Sequence, residues 1–432
     1  MNTLLSVELI DGPLMPVVSA VTVVALLAVL IWRPRRMVLT LSVGAVAGIA
    51  MYVLARIFDA LQTFQGPLPV GASRGAALAV AGMAIGVVGI ARAPWGRRVL
   101  GVVALICSAL TGALQVNASY GITHTLASII GVQALGRTEL PAADGGADDS
   151  GDLWRTWSPP PGMPTTGTVS ALSDEDRIPS GNFAPRDASL YLPPAALVPD
   201  PPKLPLIVFM MGQPGSPDPT SLAKALDAFA QSHQGLAPIA IVADQTSQGD
   251  LDPSCADSAK YGAVETYFNT LIPQWALSHL NVTTDTRRWV IGGFSNGGSC
   301  ALKWAAEHPE TWGNLLDNSG NEFPASEHVD ETIADVFGGD AAAFEAAKPS
   351  AILAAAPRGA YAGHTAIFTW GATDGLFGPG QQRNAVATEA VGFAVLAHAV
   401  PGAGHDGPAL DGGLAFAIPA LAPALGLAAP SS

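Results

Sequence analysis

Arg287-Arg288-Trp289-Val290-Ile291-Gly292-Gly293-Phe294-Ser295-Asn296-Gly297-Gly298 is the stretch on which the reading of this chain turns. An apolar run of strand character leads into G-x-S-x-G, and a helix is expected to open at about Asn296. A serine on such a strand-to-helix turn is held in a strained conformation that exposes its hydroxyl. Gly293 and Gly297 leave room for backbone to come close. The helix start supplies unpaired N–H groups and a positive dipole end, which suit a developing oxyanion. Ser295 is therefore the candidate nucleophile.

Working outward, the pattern from about residue 166 alternates short β-rich runs with helical ones. Strands are expected at 167–172, 186–192, 205–211, 237–243, 287–293, 313–318, 364–371 and 392–400. Helices are expected at 219–233, 261–279, 296–308, 379–391 and 409–424. After the first two strands this order implies a mainly parallel eight-stranded sheet covered by helices on both faces. Ligands of such sheets bind at the carboxyl ends of strands, so the residues just after strands carry the chemistry.

A serine hydroxyl needs a base to take its proton. The last strand runs into Pro401-Gly402-Ala403-Gly404-His405-Asp406-Gly407, and His405 is the candidate base. The preceding strand ends in Trp370-Gly371-Ala372-Thr373-Asp374-Gly375, which makes Asp374 the candidate third member, fixing the imidazole tautomer. Asp406 is adjacent to the histidine and badly placed to reach its Nδ1, and Asp411 falls on the following helix. The third strand leads into Met211-Gly212-Gln213-Pro214-Gly215. Backbone N–H groups of Gln213 and Asn296 are the oxyanion candidates. Trp312, Phe323, Trp370 and Phe377 lie near strand ends and are read either as lining for an acyl pocket or as core.

Residues 1–120 have a different character. Apolar runs near 14–32, 37–54, 75–91 and 99–116 each have the length of a bilayer-spanning helix, roughly 17–25 residues. Arg33-Pro34-Arg35-Arg36 follows the first run, and Arg92, Arg97 and Arg98 separate the third and fourth. Short Arg-rich connections stay cytoplasmic, so both ends of this unit are expected outside. Glu8 and Asp11 before the first run, and arginines rather than small residues after it, argue against a cleaved signal peptide. Arg56, Asp59 and Arg74 are assigned to a loop between the second and third spans. Glycines 44, 48, 82, 86 and 89 permit close helix packing. The near-absence of ionisable groups in the spans favours an anchor over a transport path. Residues 121–165 are read as a juxtamembrane helix and a Gly/Pro/Asp-rich linker, and 166–432 as the catalytic domain.

Charge follows the same division. Up to Tyr120 there are eight arginines and three acids, net +5; the remainder holds 13 basic and 32 acidic residues, net −19. An acidic domain with no basic run gives no electrostatic reason to bind nucleic acid. Three cysteines are too few for a structural zinc site, and no cofactor is implied. Cys255 and Cys300 fall in the domain expected outside the cell and are expected to form a disulfide, whereas Cys107 lies in the fourth span.

With these residues in view, the second domain resembles the esterase branch of the α/β-hydrolase superfamily, which includes esterase D, feruloyl-type esterases and mycobacterial mycolyltransferases. The resemblance covers roughly 185–425. It rests on Gly293-Phe294-Ser295-Asn296-Gly297-Gly298, Ala305-Ala306-Glu307-His308-Pro309-Glu310, Asp317-Asn318-Ser319-Gly320 and Gly404-His405-Asp406. Met211 departs from it, since a His or Asp commonly precedes the oxyanion-loop glycine in that branch. Four spans ahead of such a domain look like the anchors of actinobacterial membrane esterases. The resemblance, which says nothing about residues 1–120, implies a serine esterase; with the expected anchor, the reading is hydrolysis of a lipid or cell-envelope ester at the outer face of the cell membrane, through an acyl-serine. An acyltransferase acting on a sugar or lipid hydroxyl shares the same triad, and a non-catalytic membrane-tethered binding module is the third reading.

Overall fold

The computed structural model describes residues 5–10, 12–32, 36–61, 68–91, 93–121, 123–129, 135–136, 140, 151–213, 215–247 and 252–430. Two compact units divide the chain. One takes in 1–130 with the short stretches 373–375 and 404–408; the other takes in the rest.

The first unit contains four long helices, α1 (Leu14–Ile31), α2 (Met37–Ala60), α3 (Val70–Ile90) and α4 (Trp95–Tyr120). Each is long and apolar enough to cross a membrane. α2 and α4 run further than the hydropathy pattern predicts, and α3 starts earlier. Arg56 and Asp59 belong to the last turns of α2, where they pair at 2.7 Å, and Arg74 to the first turns of α3. The assignment of these three charges to a loop is thus corrected: the missing signal is that i,i+3 pairing satisfies charge on a helix end as well as a loop does. Arg33, Arg35 and Arg92 lie outside the described residues, as does most of the linker between 137 and 150. Of the segment expected to form a juxtamembrane helix, Leu126–Ile129 is helical.

Small residues line the contacts between these helices. A Cβ on Gly101 of α4 would stand 2.8 Å from the Gly86 carbonyl oxygen of α3, and one on Gly86 would stand 2.8 Å from the Gly101 oxygen. Thr22 of α1 and Thr111 of α4 hydrogen-bond at 2.8 Å, and Ala25, Val29, Ile85 and Ala104 form a small apolar cluster.

The second unit is built on eight strands in the order β1-β2-β4-β3-β5-β6-β7-β8. They are β1 (Thr168–Leu172), β2 (Ala188–Leu192), β3 (Leu206–Met210), β4 (Ile239–Ala243), β5 (Val290–Phe294), β6 (Asn314–Asn318), β7 (Thr365–Gly371) and β8 (Ala394–Val400). β1–β2 and β2–β4 are antiparallel and the remaining pairs parallel. This is the α/β-hydrolase fold; seven strands fall within the expected ranges, and β5 runs one residue past its expected end at 293, to Phe294. The central strands are buried on both faces, which is why they read as continuous apolar runs rather than alternating ones. Trp289, Trp304, Trp312, Phe209, Phe268, Phe294 and Phe368 are fully buried.

The helices that matter below are α5 (Thr220–Ser232), α6 (Ile272–His279), α7 (Asn296–Glu307), α8 (Val329–Asp335), α9 (Gly378–Ala390) and α10 (Gly407–Leu421). α6 continues a helical run that starts at Val264 and passes through a π-turn at Tyr267–Leu271. Between β6 and β7 stand α8 and two further short helices, Ala341–Ala346 and Pro349–Ala355, which the pattern of apolar residues does not announce. Their signals are local. The Asp340 carboxylate accepts from the amides of Ala342 and Ala343, and Pro349 sits at a first helical position.

Candidate active site

β5 delivers Ser295 to the carboxyl edge of the sheet, with α7 starting at the next residue. Ser295 has φ 56° and ψ −121°, a backbone conformation costly for any residue with a side chain. The surroundings fix it: the Ser295 amide donates to the Asn318 carbonyl at 2.9 Å, and its own carbonyl accepts from Gly298 and Ser299 at 2.9 and 3.1 Å. The turn closes against β3, and a Cβ on Gly297 would stand 2.6 Å from the Met210 Cβ, so only glycine fits there.

Gly212, at the end of β3, faces the serine directly, since a Cβ built on it would lie 3.1 Å from the Ser295 Cβ. The loop that starts here carries Gln213. A buried side chain that sequence reasoning missed ties this loop to the nucleophile turn. The Gln245 amide donates to the Met211 carbonyl at 2.7 Å and to the Asn296 side-chain oxygen at 2.9 Å. The Asn296 side-chain Nδ2 in turn donates to Asp252 Oδ2 at 3.2 Å. Gln245 lies two residues beyond β4, where the rule that ligands bind past strand ends directs attention, but no motif marks it.

His405 and Asp374 are brought together. His405 Nδ1 stands 3.0 Å from Asp374 Oδ2, and Asp374 is 4% exposed. A carboxylate only accepts, so Nδ1 carries the proton and Nε2 is left as the basic nitrogen. Asp406 instead accepts from the Gly404 amide at 3.3 Å, within its own loop. Asp411 is exposed on α10. Two of the other histidines have structural surroundings: His364 Nε2 meets the Pro309 carbonyl at 2.9 Å, and His398 stacks on Phe416.

Cys255 and Cys300 form a disulfide with their Cα atoms 5.3 Å apart, and Cys107 is a free thiol. The bridge joins the loop after β4 to α7. The Trp304 indole of α7 also donates to the Cys255 carbonyl at 3.0 Å.

Of the aromatic residues that sequence reading left between acyl pocket and core, Trp312 belongs to the core. It is fully buried beside Trp289 and donates to the Asn269 side chain at 2.7 Å. A cavity of about 270 Å³ lies beside Gln213 and Asp252, with a mixed lining rich in charged groups that also includes Tyr261, His328, Glu331, Thr332, Asp335 and Val336. Glu265, Glu307 and His308 present a grouping of metal-ligating type. The Lys303 ammonium already serves its carboxylates, bonding Glu265 at 2.9 Å and Glu307 at 2.6 Å. The lysine is 2% exposed, so it pairs charges that burial would otherwise make costly.

Residues 184–368 match the family model described as "Putative esterase". A protein of Corynebacterium glutamicum described as uncharacterised is 38% identical over 178 residues, which is 40% of this chain; the chain covers 42% of that relative's length. Among solved structures, a ferulic acid esterase aligns with TM-score 0.47 and 14% identity, over 60% of this chain and 98% of the other. An S-formylglutathione hydrolase from Agrobacterium tumefaciens aligns with TM-score 0.47 and 14% identity, over 60% and 95%. The fluorophosphonate-binding serine hydrolase FphF of Staphylococcus aureus aligns with TM-score 0.46 and 15% identity, over 59% and 98%. Residues 184–368 are thus similar to the esterase family over somewhat less than half of the chain.

Proposed function

We propose that this esterase-family domain hydrolyses a carboxylic ester of a lipid or cell-envelope component through an acyl-Ser295 intermediate, held at the outer face of the cell membrane by the four N-terminal helices. The observation that carries the reading is the strained Ser295 at the head of α7, together with a histidine whose Nδ1 is occupied by a buried carboxylate.

In this mechanism His405 Nε2 takes the Ser295 proton as the hydroxyl oxygen attacks the ester carbonyl. Asp374 holds the imidazole in that tautomer and stabilises the imidazolium. The amides of Gln213 and Asn296 donate to the tetrahedral oxyanion, and the Gln245 clamp keeps their two segments in register. The imidazolium then protonates the departing alcohol. Water, deprotonated by His405, attacks the acyl-serine and releases the acid and Ser295.

Placement of the domain outside the cell membrane is supported by the Arg-rich connections after α1 and between α3 and α4, because short Arg-rich connections favour the cytoplasmic side. The disulfide agrees with an oxidising compartment. The test of function is turnover. Ser295→Ala and His405→Ala should each lower kcat on the order of 10³-fold or more in protein that keeps its fold by circular dichroism. Turnover near the wild-type rate in folded Ser295→Ala protein would remove the mechanism.

A further inference from the structure

The cavity beside Gln213 and Asp252 indicates what the ester carries. Its position is fixed from two sides. Gln213 follows Gly212, which abuts Ser295, and Asp252 accepts a hydrogen bond from Asn296, the residue after Ser295. One wall is the loop from Asp252 to Tyr261, pinned to α7 by the Cys255–Cys300 bridge. The other is α8, tied to that loop where Lys260 Nζ donates to Asp335 Oδ2 at 2.5 Å.

The charge of this cavity is one-sided. Three carboxylates line it, Asp252, Glu331 and Asp335, with His328 as the one basic side chain among the described lining residues. Lys260 accounts for Asp335, and His328 lies 3.8 Å from Glu331. The hydrogen bonds to Asp252 come from neutral donors, the Ser254 amide at 2.8 Å and the Asn296 side chain at 3.2 Å. Burial raises its carboxyl above the usual range, against the pull of those two bonds. A carboxylate in that position gains most from a cation brought by the ligand.

The rim already shows how an ammonium is received. Lys260 Nζ sits 5.2 Å from the centre of the Tyr261 ring while bonded to Asp335, so aromatic face and carboxylate together accommodate one primary amine. A long hydrocarbon acyl chain has the opposite requirement. It would strip water from three carboxylates and return no hydrogen bond.

We propose that this cavity receives a cationic group of the substrate, so that the preferred ester carries an ammonium close to its scissile carbonyl, as an aminoacyl ester does. The closeness follows from the hydrogen bond that Asp252 accepts from the side chain of Asn296, the residue next to Ser295. This inference rests on Ser295 being the nucleophile. Asp252 acts as a specificity-determining residue, with Glu331 and Asp335 supplying the surrounding negative field.

The test uses the full chain in detergent and two esters of nearly equal shape, alanine ethyl ester and ethyl isobutyrate, which differ by an ammonium in place of a methyl group. The kcat/KM ratio of the two is measured for wild type, Asp252→Asn and Glu331→Lys. Intrinsic differences in ester reactivity cancel when ratios are compared between proteins. The ratio should fall about tenfold in Asp252→Asn, chiefly through KM for the alanine ester, a change equal to 1.4 kcal/mol. Glu331 is 79% exposed on its side chain, so its reversal leaves the fold intact and should lower the ratio by about fivefold. Ratios within about twofold of wild type in both variants, with both esters turned over, would overturn the inference alone. Failure of wild type to hydrolyse either ester, with no covalent labelling of Ser295 by a fluorophosphonate, would overturn the hydrolase reading and the inference with it.

Discussion

The helical unit and the sheet domain solve the packing problem in opposite ways. In the helices the large apolar side chains face outward: Val24 is 66% exposed, Ile31 72%, Val38 74% and Val46 68%. What they bury is mostly small, as in the glycines at 44, 48, 86 and 101, Ala104 and Ser108, with Val29, Ile85 and Arg97 as larger exceptions. In the sheet domain the large side chains are inside, with Phe209, Phe268, Phe368, Trp289 and Trp304 at 0% exposure. Water drives the second arrangement, because burying each such side chain removes apolar surface from it. It does not drive the first. Between helices in lipid there is no hydrophobic gain from hiding a valine, so close backbone approach at small residues takes over. The difference is consistent with a first unit whose four helices are long and apolar enough to cross a membrane.

This contrast predicts opposite responses to substitution. Phe209→Ala or Phe368→Ala should cost the sheet domain ~3–5 kcal/mol, read from denaturant unfolding of the domain. Val24→Ala or Val46→Ala should leave the detergent-solubilised protein nearly as stable as wild type. Gly101→Leu, which drives a side chain into the Gly86 carbonyl and Ile90, should abolish the folded helical unit in a thermal scan. Equal tolerance of Gly101→Leu and Val46→Ala would show that the exposed valines and buried glycines do not differ as argued.

Loss of the disulfide sharpens the comparison within the sheet domain. The bridge closes a loop of 45 residues, so Cys255→Ser with Cys300→Ser should lower domain stability by ~4 kcal/mol on the chain-entropy account. A stability within about 1 kcal/mol of wild type would assign the loop's order to Trp304 and its neighbours instead.

A smaller effect is expected from Asp317, at the end of β6. It is fully buried, and burial pushes its carboxyl up to about 7, against the opposing bonds from Gln381 and the Gly320 amide. The same carboxyl ionises near ~3.9 in the unfolded chain. Stability is therefore greatest below that value, and falls as the pH rises toward the folded pKa. Between pH 5 and pH 7 the loss should be roughly 2–3 kcal/mol, and Asp317→Asn should flatten it. A wild-type profile that is flat or rises over that interval would show Asp317 to be stabilised as its anion.

Much of this architecture is legible in the sequence because the elements are locally consistent. β3, β4 and β5 are apolar throughout, and the glycines around Ser295 announce a turn that little else fits. The helices after β6 are less legible. α8 and its neighbours are short and half-exposed, and their caps at Asp340 and Pro349 are weak signals without a periodic apolar face. The site divides the same way. Ser295, Asp374 and His405 follow from strand ends and motif. Gln245 and Asp252 do not, since their roles come from hydrogen bonds between segments about 50 residues apart, as in Gln245 to Asn296. The charged walls of the cavity were hidden for the same reason, because Glu331 and Asp335 lie on a helix that no pattern predicted.

The most direct test of the account is covalent labelling of the full chain in detergent with a fluorophosphonate, followed by peptide mass spectrometry. A single phosphonate adduct on Ser295 is expected, absent from Ser295→Ala protein and strongly slowed in His405→Ala protein. An adduct on another serine that persists in folded Ser295→Ala protein, or no adduct on folded wild type, would contradict it.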